Sequence, residues 1–165
     1  TGPVHGPMPK GAKIVRVETA ADMLLNVCDY GPYDIAICVA AVSDWCLKSI
    51  ATHKLKKEKA VDILNLELMK TPDILENICN LSPRPKLIVG FAAETEHLER
   101  NALKKLKNKR CDWILANNVG SKIGVMGETD TEITKFSAAG KKIFPRMSKL
   151  DFSNVLVNKI CEEFK

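Results

Sequence analysis

Apolar runs that alternate with amphipathic segments constrain the fold of this chain more than any other feature of its sequence. The runs at 35–41, 86–92 and 112–116 are continuous and short, as expected for buried parallel strands. Segments at 71–81 and 95–109 lie between them and carry apolar residues at helical spacing. Strands that alternate with helices predict a layered α/β fold with a largely parallel sheet.

Weaker patterns complete the predicted architecture. Thr71, Pro72 and Asp73 form a helix start, with a capping hydroxyl, a proline at the first helical position and an acid in the first turn. The 165 residues contain no internal repeat and are expected to form a single domain over 1–165. The remaining predicted elements are a strand at 12–17, a helix at 20–28 capped by Thr19, a basic arm at 54–59, a β-like segment at 61–69, a hairpin over 131–144 and a helix over 151–164.

Candidate binding residues follow the three central runs, because ligands bind beyond the carboxyl ends of parallel strands. Ala40 allows close approach to the backbone and Asp44 supplies a carboxylate. Phe91 offers a ring for stacking on a base, and Asn117 and Asn118 offer amides that read hydroxyls or a base edge. Each residue also has a structural interpretation, as tight packing, a turn or part of the core. The three sites together favour a nucleotide-sized crevice.

Lysine clusters add a second signal to a chain with a formal net charge of +5. Lys105 and Lys109 are four residues apart and share a helix face, which we expect to lie opposite Leu103 and Leu106. Lys54 lies ten residues after Asp44. A solvated basic surface is the ordinary interpretation, and ammonium groups that reach a phosphate chain are the functional one.

The sequence disfavours a metal site, a disulfide framework and a membrane location. The six cysteines form no C-x-x-C pair and show no ligand spacing with the three histidines, so no metal site is predicted. They are interpreted as small buried apolar residues in a reducing compartment, with a disulfide framework as the minor alternative. No run approaches the ~20 apolar residues of a membrane span, and no signal or transit peptide is present, so we expect a cytoplasmic protein without membrane association.

Several segments resemble the signature segments of the phosphopantothenate–cysteine ligases, in order and spacing across essentially the whole chain. The combination is specific, although each segment alone is weak. The segments are Ala-Ala-Val-Ser-Asp-Trp at 40–45, Lys-Leu-Lys-Lys at 54–57, Thr-Pro-Asp-Ile-Leu at 71–75, Val-Gly-Phe-Ala-Ala-Glu-Thr at 89–95, the stretch from Leu103 to Asn117, and Gly-Val-Met-Gly at 124–127, which is similar to the bacterial form.

This resemblance implies a Rossmann-like, three-layer ligase that is CTP-dependent in bacteria. It joins 4′-phosphopantothenate to L-cysteine through an acyl-cytidylate, for coenzyme A synthesis. It also implies a homodimer whose protruding basic arm helps to cover the active site, and an upstream fused flavin-dependent decarboxylase. We expect Lys54, Lys105 and Lys109 to act catalytically, with Mg²⁺ bridging phosphates. The implied nucleotide contacts are Ala40, Asp44, Lys54, Pro72, Asp73, Ile74, Leu75, Phe91, Lys105 and Lys109.

The sequence departs from the family pattern in two places. The family begins with a strand, a Gly-rich loop, a segment like Asn-Arg-Ser-Ser-Gly and a helix, and this sequence starts at the equivalent of the second strand. Because that Asn is catalytic in the family, we expect these 165 residues alone not to turn over. Thr129 and Thr131 fall near positions that usually hold an Asp and an Asn, which puts the contacts of that loop in question.

Two rival functions come from other classes. An NAD-dependent reductase fits the α/β pattern, but the sequence contains no G-x-G-x-x-G. A nucleic-acid-binding module would account for the lysines. However, aromatic residues make up only 5% of the chain and do not alternate with basic ones, as single-strand binders require. We therefore expect no nucleic-acid partner.

Overall fold

The computed structural model of the chain divides into two compact units. The first comprises Thr1–Gly31 and Ala40–Asn77, and the second comprises Pro32–Val39 and Ile78–Lys165. The single domain over 1–165 stays a prediction. The structure describes residues 1–4, 6–56, 63–119 and 129–165.

Four helices and seven strands occur in the described part of the chain. The helices are α1 (Ala20–Asp29), α2 (Ile74–Cys79), α3 (Leu98–Lys109) and α4 (Lys149–Glu163). The strands are β1 (Ile35–Cys38), β2 (Trp45–Leu47), β3 (Leu68–Lys70), β4 (Leu87–Glu94), β5 (Trp113–Asn118), β6 (Asp130–Ser137) and β7 (Gly140–Ser148).

The second unit is built on a five-stranded sheet with the order β1-β4-β5-β6-β7. Strands β1, β4 and β5 are parallel, and β6 and β7 continue the sheet as an antiparallel hairpin. The parallel strands are the three continuous apolar runs of the sequence. The predicted α/β class, its parallel sheet and the C-terminal hairpin are therefore confirmed.

Helices cover both faces of this sheet. Phe152 and Ile160 of α4 join a buried cluster on one face, where the rings of Phe144 and Phe152 meet edge to face at 5.5 Å. Side chains alternate along a strand, so Glu94 of β4 belongs to the opposite face, where it contacts Asn101 of α3. This arrangement confirms the three-layer prediction. The sheet residues of the α4-side cluster are Leu87, Val89, Trp113, Leu115, Ile133 and Phe144.

A carboxylate fixes the connection that leads into β5. Asp112 Oδ2 accepts a hydrogen bond from the backbone N–H of Ile88 at 2.7 Å and forms an ion pair with Arg84 at 2.9 Å. Arg84 also donates to the carbonyl of Arg110, the residue that ends α3. These bonds tie the start of β4 to the turn before β5, and so set the register of the two central parallel strands.

The first unit contains one prediction that is confirmed and one that is wrong. Thr19 and Asp22 form a capping box that starts α1, as the sequence indicates. The predicted strand at 12–17 is absent, although the Thr1 carbonyl accepts a hydrogen bond from Val17 N–H and the Thr1 amino group donates one to the Val15 carbonyl. Two bonds to a single residue are too few to define a ladder. The antiparallel pairing of β2 with β3 was not predicted.

Element boundaries differ from the predicted ones mainly at strand ends. β1 ends at Cys38, three residues early, whereas β4 and β5 each run two residues further than expected. Pairing of Ala93 with Asn117 and of Glu94 with Asn118 extends the parallel ladder. Asn117 and Asn118 therefore lie within β5, not after it. The β-like segment at 61–69 is reduced to β3, and its first two residues lie outside the described part.

The cysteines are less buried than the sequence suggested. All six carry free thiols, but only Cys79 and Cys111 are buried. Burial, together with the neighbouring Cys79, raises the pKa of Cys111 to about 12. That thiol is therefore protonated and unreactive near neutral pH. Within the described ranges, no group of three or more His, Cys, Asp or Glu side chains is arranged to hold a metal ion.

None of the described helices is both long and apolar enough to cross a bilayer. The cytoplasmic location stays a prediction.

Candidate active site

The C-terminal half of β4 brings two of the predicted site residues together. Lys105 of α3 donates a hydrogen bond from its Nζ to the backbone carbonyl of Phe91 at 2.8 Å. The ammonium group carries three donors, so one bond to a carbonyl leaves capacity for an anionic ligand. Lys105 is half-buried, and charge–anion bonds are stronger where water is partly excluded. The second unit thus places a fixed positive charge beside the strand end.

The helix face that carries the lysines was predicted wrongly. Ala102 is fully buried against the sheet, and Lys105 and Lys109 lie on the same face because they are three and seven residues further on. Of the two leucines expected to lie on the opposite face, Leu103 is 46% exposed and Leu106 is half-buried. The small Ala102 leaves space beside it for the aliphatic stem of Lys105, whose charged end reaches the sheet.

Phe91 has a part in the core as well as a place at the strand end. Its ring is partly buried and packs against the α4-side cluster, so the structural interpretation holds for one side of the ring. The remaining exposed part is the surface on which a base would stack. Stacking on Phe91 stays a prediction.

The first unit brings together the other predicted segments. The carbonyl of Asp44 accepts a hydrogen bond from the backbone N–H of Thr71 at 2.9 Å. This bond continues the β2–β3 pairing, in which Trp45 lies opposite Lys70. The exposed carboxylate of Asp44 therefore lies at the same end of the two-stranded ribbon formed by β2 and β3 as the segment Pro72 to Leu75.

The start of α2 differs from the sequence prediction. Asp73, not Thr71, caps the helix, since its Oδ1 accepts from the backbone N–H of Glu76 at 2.9 Å. Within the 71–75 segment, Leu75 is buried, Pro72 and Ile74 are half-buried and Asp73 is exposed. The prediction placed the cap two residues early because threonine and aspartate are both favoured capping residues.

Thr71 Oγ1 is consequently left buried without a hydrogen-bond partner in the described part of the chain. A buried unpaired hydroxyl costs roughly 1–3 kcal/mol. We expect Thr71→Val, which keeps the shape and removes the hydroxyl, to raise the free energy of unfolding by about 1 kcal/mol. Urea unfolding of the two proteins measures the difference.

Thr19→Val is the matched control, because that hydroxyl caps α1 and accepts from Asp22 N at 3.1 Å. Its loss should lower the free energy of unfolding by about 1 kcal/mol. Equal losses of stability in both variants would show that Thr71 Oγ1 makes a hydrogen bond in solution.

The remaining predicted residues have simpler positions. Ala40 is exposed, and its carbonyl accepts from Val42 N in a tight turn. Lys54 is exposed and lies in a segment without regular secondary structure. Lys109 is half-buried on the sheet-facing side of α3. Of the other predicted features, Lys57, Lys59 and the segment 124–127 lie outside the described residues.

Thr129 and Thr131, whose ligand contacts the sequence left in question, lie at the start of the β6–β7 hairpin. Thr131 lies within β6 and Thr129 precedes it, with its carbonyl accepting from Lys149 N. These positions fix both threonines in the hairpin framework. A ligand contact for either residue, and for Asn117, stays a prediction.

One polar pair at the strand end was missed by the sequence reasoning. Glu94 Oε2 accepts a hydrogen bond from Asn101 Nδ2 at 2.8 Å. The sequence signal was weak, since it consisted of one carboxylate at the end of an apolar run. The partner on α3 is seven residues further along the chain, and only the packing of α3 on the sheet reveals it.

Comparisons with known proteins place this geometry in a family. The profile of the DNA/pantothenate metabolism flavoprotein C-terminal domain matches residues 1–164. The "Coenzyme A biosynthesis bifunctional protein CoaBC" of Bacillus subtilis is 39% identical over 166 residues, covering 98% of this chain and 40% of the relative. The protein of the same name from Vibrio cholerae is 33% identical over 164 residues, covering 99% of this chain and 41% of the relative. The chain thus spans about 40% of the length of these curated relatives.

Solved structures agree with the sequence relatives. The crystal structure of the C-terminal domain of a coenzyme A biosynthesis bifunctional protein CoaBC superposes with a TM-score of 0.75 at 28% identity, covering 96% of this chain and 69% of that one. A DNA/pantothenate metabolism flavoprotein from Streptococcus pneumoniae has a TM-score of 0.75 at 20% identity, covering 95% of this chain and 76% of that one, and supports the fold alone.

Proposed function

The chain belongs to the DNA/pantothenate metabolism flavoprotein C-terminal domain family, and on that premise we propose that it is the phosphopantothenate–cysteine ligase part of a coenzyme A biosynthesis enzyme. The observation that carries the proposal is the half-buried Lys105, held by the Phe91 carbonyl in the C-terminal half of β4. A fixed positive charge at that edge suits a nucleoside triphosphate. The relatives named for coenzyme A biosynthesis support the choice of reaction.

The proposed reaction has two steps, because a carboxylate is a poor electrophile. The carboxylate oxygen of 4′-phosphopantothenate bonds to the α-phosphorus of CTP while the bond to the β-phosphate oxygen breaks, releasing pyrophosphate. The amine of L-cysteine then bonds to the acyl carbon of the acyl-cytidylate. The carbon–oxygen bond to CMP breaks, and the amine nitrogen loses a proton.

The first step brings a negative carboxylate toward a negative triphosphate. Positive groups that are already in place reduce this repulsion in the transition state. In our proposal, Lys105 and Lys109 of α3 supply that charge, and Lys54 of the first unit contributes a third cation. The aliphatic stems of the α3 lysines lie on the buried face of their helix, so their charges need little reorganisation.

The family resemblance supplies the proposed nucleotide contacts. They are Ala40, Asp44 and the segment 72–75, and also Phe91. Backbone amides and carbonyls along 72–75 would read the base edge, which distinguishes cytosine from adenine. The exposed carboxylate of Asp44 suits the hydroxyls of a ribose.

We propose that Mg²⁺ enters with the nucleotide. Clustered protein ligands are absent from the described residues, and magnesium commonly binds through substrate phosphates with one or two carboxylates. Bound in this way, the ion neutralises phosphate charge.

Conversion of substrates to product tests the proposal. The full-length natural polypeptide is mixed with 4′-phosphopantothenate, L-cysteine, Mg²⁺ and either CTP or ATP. Mass spectrometry should detect the amide product with CTP, and much less with ATP. Equal product with both nucleotides would contradict the proposed base selectivity, and no product with either would contradict the ligase assignment.

A homodimer is the second part of the proposal, and the ribbon formed by β2 and β3 supports it. Every residue of the two strands is exposed, although the ribbon is rich in apolar side chains. Leu47 and Leu68 lie opposite each other and are 43% and 56% exposed. Exposed apolar surface of this kind marks an interaction site. We propose a second copy of the chain as the partner.

Leu68→Asp should therefore weaken self-association. A charge placed in the apolar interface loses its hydration, so we expect the dissociation constant to rise at least about tenfold. Sedimentation equilibrium of the natural protein and the variant measures it. Leu150→Asp in α4 is the matched control, since Leu150 is 72% exposed and lies outside the ribbon. Equal dissociation constants for all three proteins would contradict the ribbon dimer.

The curated relatives are described as bifunctional and are longer than this chain. We propose that an upstream flavin-dependent decarboxylase supplies the other function in the natural polypeptide.

A further inference from the structure

The end of β4 carries a carboxylate whose orientation is fixed by the neighbouring helix. Glu94 is half-buried, and its Oε2 accepts the 2.8 Å hydrogen bond from Asn101 Nδ2. The same Nδ2 donates to the backbone carbonyl of Glu96 at 3.1 Å. Asn101 therefore holds both the carboxylate and the connection that follows it.

That connection also has an unusual backbone. His97, the residue before α3, has a φ of 52° in the left-handed region and makes no side-chain capping bond. Positive φ in a residue other than glycine is uncommon, and such backbone strain gathers at functional sites. The carbonyl of Glu94 is held in turn by the N–H of Val119 at 2.9 Å. The position of Glu94 is thus set from β5 and from α3.

One oxygen of this carboxylate has no partner among the residues that the structure describes. In the described part of the chain, Glu94 Oε1 accepts no hydrogen bond, and no cation lies within ion-pairing distance of the group. Asn101 uses Oε2 and leaves Oε1 available to a ligand. A half-buried carboxylate of fixed orientation binds a cation more strongly than a mobile surface one, since little side-chain entropy is lost.

The charges of the proposed substrates indicate which one binds there. CTP and phosphopantothenate are both anions, and a carboxylate repels them. Cysteine is the substrate with a cationic group, its α-ammonium. Mg²⁺ is the other cation in the proposed reaction, and it enters with the nucleotide phosphates, so a carboxylate that bound it would act in the pyrophosphate-releasing step and not in cysteine binding.

We propose that Glu94 binds the ammonium group of the amino-acid substrate and that Asn101 is a positioning residue for Glu94. This inference rests on the proposed function. The Glu94 side chain faces α3, the helix that also carries Lys105, so the amine would be held at the carboxyl end of β4 on the side of the proposed phosphate-binding lysine. The proposal concerns binding, and assigns Glu94 no proton transfer.

Glu94→Gln in the full-length natural polypeptide tests the role of the charge. The Gln Oε1 still accepts from Asn101, so the connection is preserved while the negative charge is lost. We expect the KM for cysteine to rise at least about tenfold, the range of a lost charge-assisted hydrogen bond. Pyrophosphate release from CTP and phosphopantothenate without cysteine should be unchanged.

Two further variants separate charge from loop structure. Asn101→Leu keeps the carboxylate but frees it, and should raise the KM for cysteine by a smaller factor. Glu96→Gln is the matched control, since the Glu96 side chain is exposed and only its carbonyl is bonded to Asn101. It should leave both steps unchanged.

Each outcome bears on a different statement. An unchanged KM for cysteine in Glu94→Gln, or an equal rise in Glu96→Gln, would overturn the assignment. A loss of pyrophosphate release in Glu94→Gln would also overturn it, because the residue would then act in the nucleotide step. Absence of pyrophosphate release in the natural protein would instead contradict the proposed function on which the inference rests.

Discussion

Lys105→Ala is expected to lower kcat/KM for CTP by about 10²–10³-fold in the full-length natural polypeptide. Removal of one preorganised donor that acts on developing charge costs about 2.7–4 kcal/mol in the transition state. Lys105 is half-buried and held by Phe91 O at 2.8 Å, so its charge is already in position. Steady-state kinetics with varied CTP at saturating phosphopantothenate and cysteine measures the effect.

Lys104→Ala is the matched control, because Lys104 is the adjacent residue of the same helix and is exposed. We expect less than a twofold change in kcat/KM for this variant. Lys105→Arg keeps the charge but not the compact geometry, and should recover only part of the activity. Equal activity of the Lys104→Ala and Lys105→Ala enzymes would remove Lys105 from the proposed machinery.

Phe136→Ala should destabilise the second unit by about 3–5 kcal/mol. Phe136 is 1% exposed and lies opposite Ile114, which is fully buried. Truncation of the ring removes buried apolar surface and leaves a cavity that the surrounding strands fill only in part. The difference in the free energy of unfolding, from urea titration followed by fluorescence, checks the value.

Ile143→Ala is the control for this prediction, since Ile143 belongs to the same hairpin but is 60% exposed. Its effect should stay within about 0.5 kcal/mol. A loss below about 1 kcal/mol in Phe136→Ala would show that this side of the sheet is less closely packed in solution than described here.

Apolar periodicity predicted much of the second unit. Strands β4 and β5 were found because continuous apolar runs are buried on both faces, and β1, at the edge of the sheet, was found from a similar run although it is only half-buried. α4 and the hairpin were found for similar reasons. Strand ends were less well predicted, because Glu94 and Asn118 are polar. They belong to the ladder only through pairing across two strands, which local sequence does not encode.

Two errors in the site have a common cause. α3 packs on the sheet through the small Ala102 and not through Leu103. In the structure Leu103 is therefore exposed, and Lys105 and Lys109 lie on the sheet-facing side of the helix. β2 and β3 are three residues long and fully exposed, and therefore lack the alternation that marks a half-buried strand. In both cases tertiary packing overrides the local pattern.

The sequence predicted single residues of the candidate site but not the contacts between them. The sequence singled out Lys105 and Phe91 separately, and the structure adds the hydrogen bond that joins them. It likewise adds the backbone bond between Asp44 and Thr71. Contacts between distant positions depend on register and helix packing, so such pairs are not readable from composition or spacing.

Pyrophosphate release in the absence of cysteine tests the central claim most directly. The full-length natural polypeptide is given Mg²⁺ and CTP, with or without 4′-phosphopantothenate, and pyrophosphate is measured in a single turnover. The ligase mechanism predicts about one pyrophosphate per active site when phosphopantothenate is present, and none without it. Release that is independent of phosphopantothenate, or that occurs only after cysteine is added, would contradict activation of the carboxylate as the first step.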